Sequence, residues 1–206
     1  MLAIVDYGVG NLFSLRSSFA AIGAEAVVSG DAAVLEQADR IVLPGVGAFG
    51  DAARKLQESG LADVVKRQAA NGKPLLGICL GMQLLFDASC EYGYHEGLGL
   101  IPGVVRPIAD VIPSGYKIPH MGWNPLHLTD EQCPLWKYIK EGDAVYFVHS
   151  YFAAECEESV IASAEYGAQI TAAAARGNVM GCQFHPEKSG KTGLAILQAF
   201  CEVKSE

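Results

Sequence analysis

The sequence predicts an α/β fold with a mixed, mainly parallel sheet, helices on both faces and an additional antiparallel strand region. Three observations predict it. Short apolar runs without polar alternation stand at residues 2–5, 41–43 and 75–78, as strands covered on both faces require. Stretches with apolar residues at helical spacing separate them, and such alternation of strand and helix builds a parallel sheet. Beyond about residue 97 this gives way to short strand-like segments with short, Gly- and Pro-containing connections, a more antiparallel pattern.

The elements follow in order. Residues 2–5 read as the first strand, and Tyr7-Gly8-Val9-Gly10-Asn11 as a turn whose Asn11 is suited to cap a helix. Leu12, Leu15, Phe19 and Ile22 recur at helical spacing until Gly23. Residues 25–28 suggest a second strand, and Asp31 a cap for a short helix to about Gln37. Arg40–Leu43 reads as a third strand, closed by Pro44-Gly45-Val46-Gly47. A helical stretch is expected from about Asp51 to Ala70, broken near Gly60, followed by a strand at 75–78. Segments 99–108, 116–119 and 123–129 are short and turn-rich. Segments 143–152, 159–165, 168–175 and 178–184 read as strands, and Lys191–Val203 as a closing amphipathic helix. Residues 1–206 read as one domain, without linker, repeat or low-complexity segment.

Composition narrows the possible functions. Half the residues are hydrophobic and 18% are charged, so a substantial core is available. A formal net charge of -8, with no Lys/Arg block, argues against a general nucleic-acid binder. No apolar run approaches the roughly 20 residues that span a membrane, and the first residues carry no basic leader, so a cytoplasmic protein is expected. The six cysteines form no Cys-x-x-Cys pair. This spacing suggests neither zinc nor a disulfide framework, and no metal or organic cofactor is expected.

Two motifs carry chemistry. Pro74-Leu75-Leu76-Gly77-Ile78-Cys79-Leu80-Gly81-Met82-Gln83 reads as strand, Gly-x-Cys-x-Gly turn and helix. A nucleophile between two glycines at such a corner is the elbow arrangement, and free N–H groups at a helix start favour thiolate. Near the C-terminus, His185 and Glu187 flank Pro186. On one extended segment both would face the same side, a base with a carboxylate to orient it. An amide attacked by Cys79 builds charge on its oxygen, which needs N–H donors. Leu80 N–H is one, and the glycines of Pro44-Gly45-Val46-Gly47 permit Val46 N–H to be another. Gln83 lies one helical turn after Cys79 and can hold a polar substrate group. His149, in the strand-like Tyr146-Phe147-Val148-His149-Ser150-Tyr151, is a rival base.

These residues resemble the class I (triad) glutamine amidotransferases, a family with a flavodoxin-like fold. The N-terminal Tyr7-Gly8-Val9-Gly10-Asn11 and the run Pro119-His120-Met121-Gly122-Trp123-Asn124 resemble, within that class, the glutaminase subunits of imidazole glycerol phosphate synthase. The resemblance spans essentially the whole chain. It implies hydrolysis of L-glutamine through a thioester on Cys79, with His185 as proton shuttle and Glu187 as its orienter. It implies substrate contacts at Gly45, Gly47, Gln83, Glu91, Ser150 and Tyr151. Ser89-Cys90-Glu91 is less acidic than this family's pattern. The resemblance further implies a heterodimer with a (β/α)₈-barrel cyclase subunit that receives the ammonia, met through Asn11, His120, Trp123, Tyr146 and Lys188. Other class I glutaminases, serving pyridoxal phosphate, anthranilate or guanine nucleotide synthesis, stay open as alternatives. So do a noncatalytic module and a cysteine peptidase of the same fold. A ready oxyanion hole would waste glutamine without an acceptor, so Val46 is expected to reach position only in the assembled enzyme.

Overall fold

In the computed structural model, which describes residues 1–204, the first half of the chain lays down four parallel strands. β1 (Leu2–Val5), β2 (Ala26–Ser29), β3 (Arg40–Leu43) and β4 (Leu75–Ile78) alternate with α1 (Leu12–Ala21), α2 (Ala32–Gln37), α3 (Phe49–Glu58) and α4 (Leu61–Ala70). The one-turn α5 (Leu80–Gln83) follows β4 directly. Asn11 Oδ1 caps α1 by accepting Ser14 N–H, and Asp31 Oδ1 caps α2 by accepting Ala33 N–H. The second strand lies one residue later than expected, and α3 starts two residues earlier than Asp51.

The second half adds β5 (Phe86–Ser89), β6 (His95–Glu96), β7 (Ile101–Pro107), β8 (His120–Pro125), β9 (His127–Leu128), β10 (Ala144–His149) and β11 (Tyr151–Ala154). β12 (Val160–Glu165), β13 (Gln169–Arg176), β14 (Val179–Cys182) and α6 (Gly190–Cys201) complete the chain. The main sheet has the order β2-β1-β3-β4-β14-β13-β12-β9, parallel as far as β14 and antiparallel beyond it. Period-two alternation splits its first strands between two cores. Leu2 and Ile4 pack with Leu15, Phe19, Ile196 and Phe200 from α1 and α6. Ala3 and Val5 pack with Leu35, Phe49, Leu56 and Val65 from α2, α3 and α4. Helices therefore cover both faces.

Two smaller sheets depart from the sequence expectation. β5 and β6 fall where no strand is expected, and they join β7 and β11 in a four-stranded sheet. The expected strand at 143–152 is two strands in different sheets: β10 pairs β8, whereas β11 pairs β7. The chain changes partner at Ser150, whose carbonyl accepts Ile108 N–H. Segment 116–119 lies outside any strand. Among the described residues, no helix is long and apolar enough to cross a membrane.

Candidate active site

The neighbours β3, β4 and β14 end side by side at their carboxyl edges, where open α/β sheets place their sites. Each leads into one part of a cleft of about 320 Å³: the Pro44–Gly47 loop, Cys79 and His185. Cys79 has φ 53 and ψ -111, a conformation that costs a non-glycine residue about 1–3 kcal/mol. The surroundings impose it. Cys79 N–H donates to Cys182 O at 2.8 Å. A Cβ on Gly81 would stand 1.9 Å from Leu43 O, and one on Gly45 would stand 2.7 Å from Gly81 N. The loop after β3 and the turn after β4 thus touch backbone to backbone. Gly45, expected to contact substrate, instead packs under the elbow outside the cleft lining. The helix behind the elbow is a single turn.

Cys79 is buried but lines the cleft, with Sγ 4.0 Å from Val148 O and 3.7 Å from Gln183 Nε2. His185 is also buried, and its Nδ1 lies 2.8 Å from Glu187 Oε1. A carboxylate accepts, so Nδ1–H donates and Nε2 is left for the cleft. Burial works to lower the His185 pKa. The Cys79 sulfur, then Glu187, outweigh it and raise it to about 9. The sulfur and the carboxylate thus favour the protonated imidazole. The expected extended segment is not what brings the pair together: Pro186–Lys188 form a 3₁₀ turn, with His185 as its N-cap. Pro tolerates the first position of such a turn because its missing N–H has no partner to lose. Glu187 curls back beneath the ring instead of alternating along a strand.

His149 is excluded as the base. Its Nδ1 donates to Tyr151 O at 2.8 Å and its Nε2 meets His120 Nδ1 at 3.0 Å. Burial pulls its pKa down to about 3. His120 in turn bonds Asn124 Oδ1 at 2.8 Å and stacks between Phe147 and Tyr166. It is fully buried, so the expectation that it meets a partner directly is corrected: packing against two aromatic rings takes it inside.

Gly47, Gln83, Glu91, Ser150 and Tyr151 line the cleft with Val46 and Leu80, as does Lys188, expected on the partner side. Gln83 Nε2 is already engaged, donating to Tyr151 O at 3.1 Å and Gln183 Oε1 at 3.0 Å. Its carbonyl oxygen is the group left for a ligand. Glu91 Oε2 accepts Phe49 N–H at 2.6 Å. Trp123 is exposed, edge-on to the half-buried Tyr146 with centroids 6.0 Å apart. Asn11 is half-buried at the start of α1.

Two residues escaped the sequence reading. Tyr7 donates to Pro44 O at 2.7 Å, and burial with nearby Cys79 pushes its pKa far up. Gln183 bridges Gln83 and Cys79. Gln183 stands in the His185 motif, so its place beside the base was a signal; Tyr7 gave none beyond its turn. Among the described residues, no group of three or more His, Cys, Asp or Glu has the arrangement to hold a metal ion.

The model of the family Glutamine amidotransferase class-I matches residues 3–203. The chain is 47% identical to the imidazole glycerol phosphate synthase subunit HisH of Sulfurimonas denitrificans, over 100% of this chain and 99% of that protein. It is 50% identical to the subunit of the same name from Gloeobacter violaceus, over 98% of this chain and 88% of that one. Among solved structures, PurLQS from Thermotoga maritima superposes with a TM-score of 0.75 at 20% identity, covering 97% of this chain and 96% of that one. A crystal structure of a glutamine amidotransferase superposes with a TM-score of 0.74 at 20% identity, covering 97% and 98%.

Proposed function

The chain belongs to the class-I glutamine amidotransferase family, and from that premise we propose how its cleft performs the work of a glutaminase subunit of imidazole glycerol phosphate synthase. On this reading the chain hydrolyses L-glutamine to glutamate and ammonia for L-histidine biosynthesis. Cys79 Sγ attacks the side-chain amide carbon of glutamine. Val46 N–H and Leu80 N–H receive the developing oxyanion. His185, charged at rest, passes its Nε2 proton to the departing nitrogen, so that ammonia leaves and a thioester remains. Neutral His185 then takes a proton from water, which attacks the thioester and releases glutamate. Glu187 keeps the imidazole in the required tautomer throughout. Gly47, Gln83, Glu91, Ser150 and Tyr151 hold the amino-acid end of the substrate.

The observation that carries this reading is the convergence of Cys79, the His185–Glu187 pair and the glycine loop on the ends of β3, β4 and β14. Residues 1–206 act as one cytoplasmic domain. It forms a heterodimer with a (β/α)₈-barrel cyclase subunit, which uses the ammonia to make imidazole glycerol phosphate and aminoimidazole carboxamide ribotide. Exposed Trp123 with Tyr146, and Asn11 and Lys188, form the facing surface. His120 supports that surface from within.

The test is glutamate release from glutamine by the purified chain alone, then with the cyclase subunit and its nucleotide ligand. Feeble release that rises strongly in the mixture is expected. Equal release in both would remove this partner, and no release in either from folded protein would remove the glutaminase.

A further inference from the structure

The loop carrying Val46 is held at both ends, packed against the elbow at Gly45 and open to solvent at Val46 and Gly47. At its upstream end Tyr7 binds Pro44 O. At its downstream end Glu91 Oε2 binds Phe49 N–H at 2.6 Å, a buried contact across 42 residues of sequence. Between these points Val46 is exposed, and Gly47 has φ +93 with open space where a Cβ would lie.

Phe49 is the first residue of α3. Its N-cap, Ala48, has the extended geometry of a capping residue (φ -86, ψ 140) but no side-chain acceptor. The first N–H groups of a helix require acceptors from elsewhere, and a carboxylate is favoured there by the partial positive charge. Glu91 supplies what residue 48 lacks. The same carboxylate lines the cleft beside Gly47 and Gln83. Among the described residues, no Lys, Arg or His forms an ion pair with it.

We propose that Glu91 positions the oxyanion-hole loop as well as receiving the substrate's α-ammonium, so that docking of the amino-acid end fixes Val46 through the Glu91–Phe49 bond. The ammonium holds the carboxylate in one rotamer. The carboxylate holds the start of α3. Val46, three residues before Phe49, then has one fewer way to turn. The substrate half rests on the glutaminase reading above; the capping half does not.

Three variants separate the two duties, assayed in the complex with the cyclase subunit and its nucleotide ligand. Glu91→Gln keeps an oxygen for Phe49 N–H and loses the charge that the ammonium holds, so KM for glutamine rises about tenfold or more and kcat falls, by less than in Glu91→Ala. Glu91→Ala loses both, so KM rises similarly and kcat falls by about tenfold or more. Ala48→Ser added to Glu91→Ala supplies a neutral cap to Gly50 or Asp51 N–H and so holds the start of α3 by a neighbouring donor, restoring kcat to within about threefold and leaving KM high. Hydrogen exchange at Phe49 is faster in Glu91→Ala than in Glu91→Gln, and exchange at Gly50 and Asp51 slows again in the double variant.

Equal kcat in the Gln and Ala variants, with unchanged exchange, would make Glu91 a substrate ligand alone and overturn the proposal. A fall in kcat at constant KM would make it a cap alone and overturn the coupling. An inert wild-type complex would remove the glutaminase reading and the coupling with it, while the exchange measurement would still decide whether Glu91 caps α3.

Discussion

Replacing Glu187 by Gln isolates the contribution of one charge to the acid that releases ammonia. The carboxylate lies 2.8 Å from His185 Nδ1, with both side chains almost wholly buried. In Glu187→Gln the side-chain amide can still present an oxygen to Nδ1–H, so the tautomer survives while the charge does not. A hydrogen bond to a charged group contributes roughly 1.5–3 kcal/mol, and each pH unit of pKa corresponds to about 1.4 kcal/mol. Losing the charge should therefore lower the His185 pKa from about 9 by roughly 1–2 pH units. In the proposed mechanism the departing nitrogen takes the imidazolium proton, so the alkaline limb of kcat/KM for glutamine is expected to move down by the same amount. The assay is glutamate release by the complex across the pH range, paired with NMR titration of the His185 ring. Glu187 Oε2 has no hydrogen-bond partner among the described residues, so the new amide N–H is unsatisfied and the variant also melts earlier. An unmoved alkaline limb, with the NMR pKa still near the wild-type value, would refute the reasoning: Glu187 would then orient the ring without tuning it.

Further outcomes follow from the same geometry. Cys79→Ala should abolish glutamine-dependent synthesis and leave ammonia-dependent synthesis by the cyclase subunit intact; loss of both in a side-by-side assay would make Cys79 structural. Cys79→Gly should be equally inactive yet more stable than Cys79→Ala by about 1 kcal/mol, because glycine accepts φ 53 without strain; equal urea midpoints would count against a strained elbow. His185 has a folded pKa raised above its unfolded value, so its stabilising contribution is complete below the ordinary histidine pKa and fades as pH rises through about 9. Urea unfolding from about pH 6 to about pH 10 should show this loss, smaller in Cys79→Ala because the sulfur is one source of the shift. Trp123→Ala should weaken affinity for the cyclase subunit in a titration without altering the reactivity of Cys79 towards a thiol reagent; unchanged affinity would move the interface elsewhere.

The parts of this fold legible in the sequence are those with strong local periodicity. β1, β3 and β4 are apolar runs, and α1 repeats its apolar residues at helical spacing to Phe19. The cleft was legible for a different reason: nucleophile, base and carboxylate each sit in a short motif at a strand end. What escaped is held by long-range partners. β5, Phe-Asp-Ala-Ser, has little strand character of its own and exists because β7 and β6 pair with it. The break at Ser150 is invisible within one apolar run, since it depends on β8 and β7 lying in different sheets. His120 looks like a surface residue beside exposed Met121 and Trp123 until Phe147 and Tyr166 close over it. Tyr7 and Gln183 act through contacts with Pro44, Gln83 and Cys79 that no local pattern encodes.

The backbone contact between Gly81 and Leu43 O has a consequence for how such a cleft can change. Any side chain at Gly81 would drive the elbow off the neighbouring strand, and one at Gly45 would do the same from the other side. The floor beneath the reacting carbonyl therefore admits no graded remodelling: its substitutions break the site rather than reshape it. Room for a different amide must come from the walls, from residues such as Val46, Tyr151 and Lys188 that line the cleft. A directed search for altered substrate preference in this scaffold should therefore vary those three positions and leave the two glycines fixed.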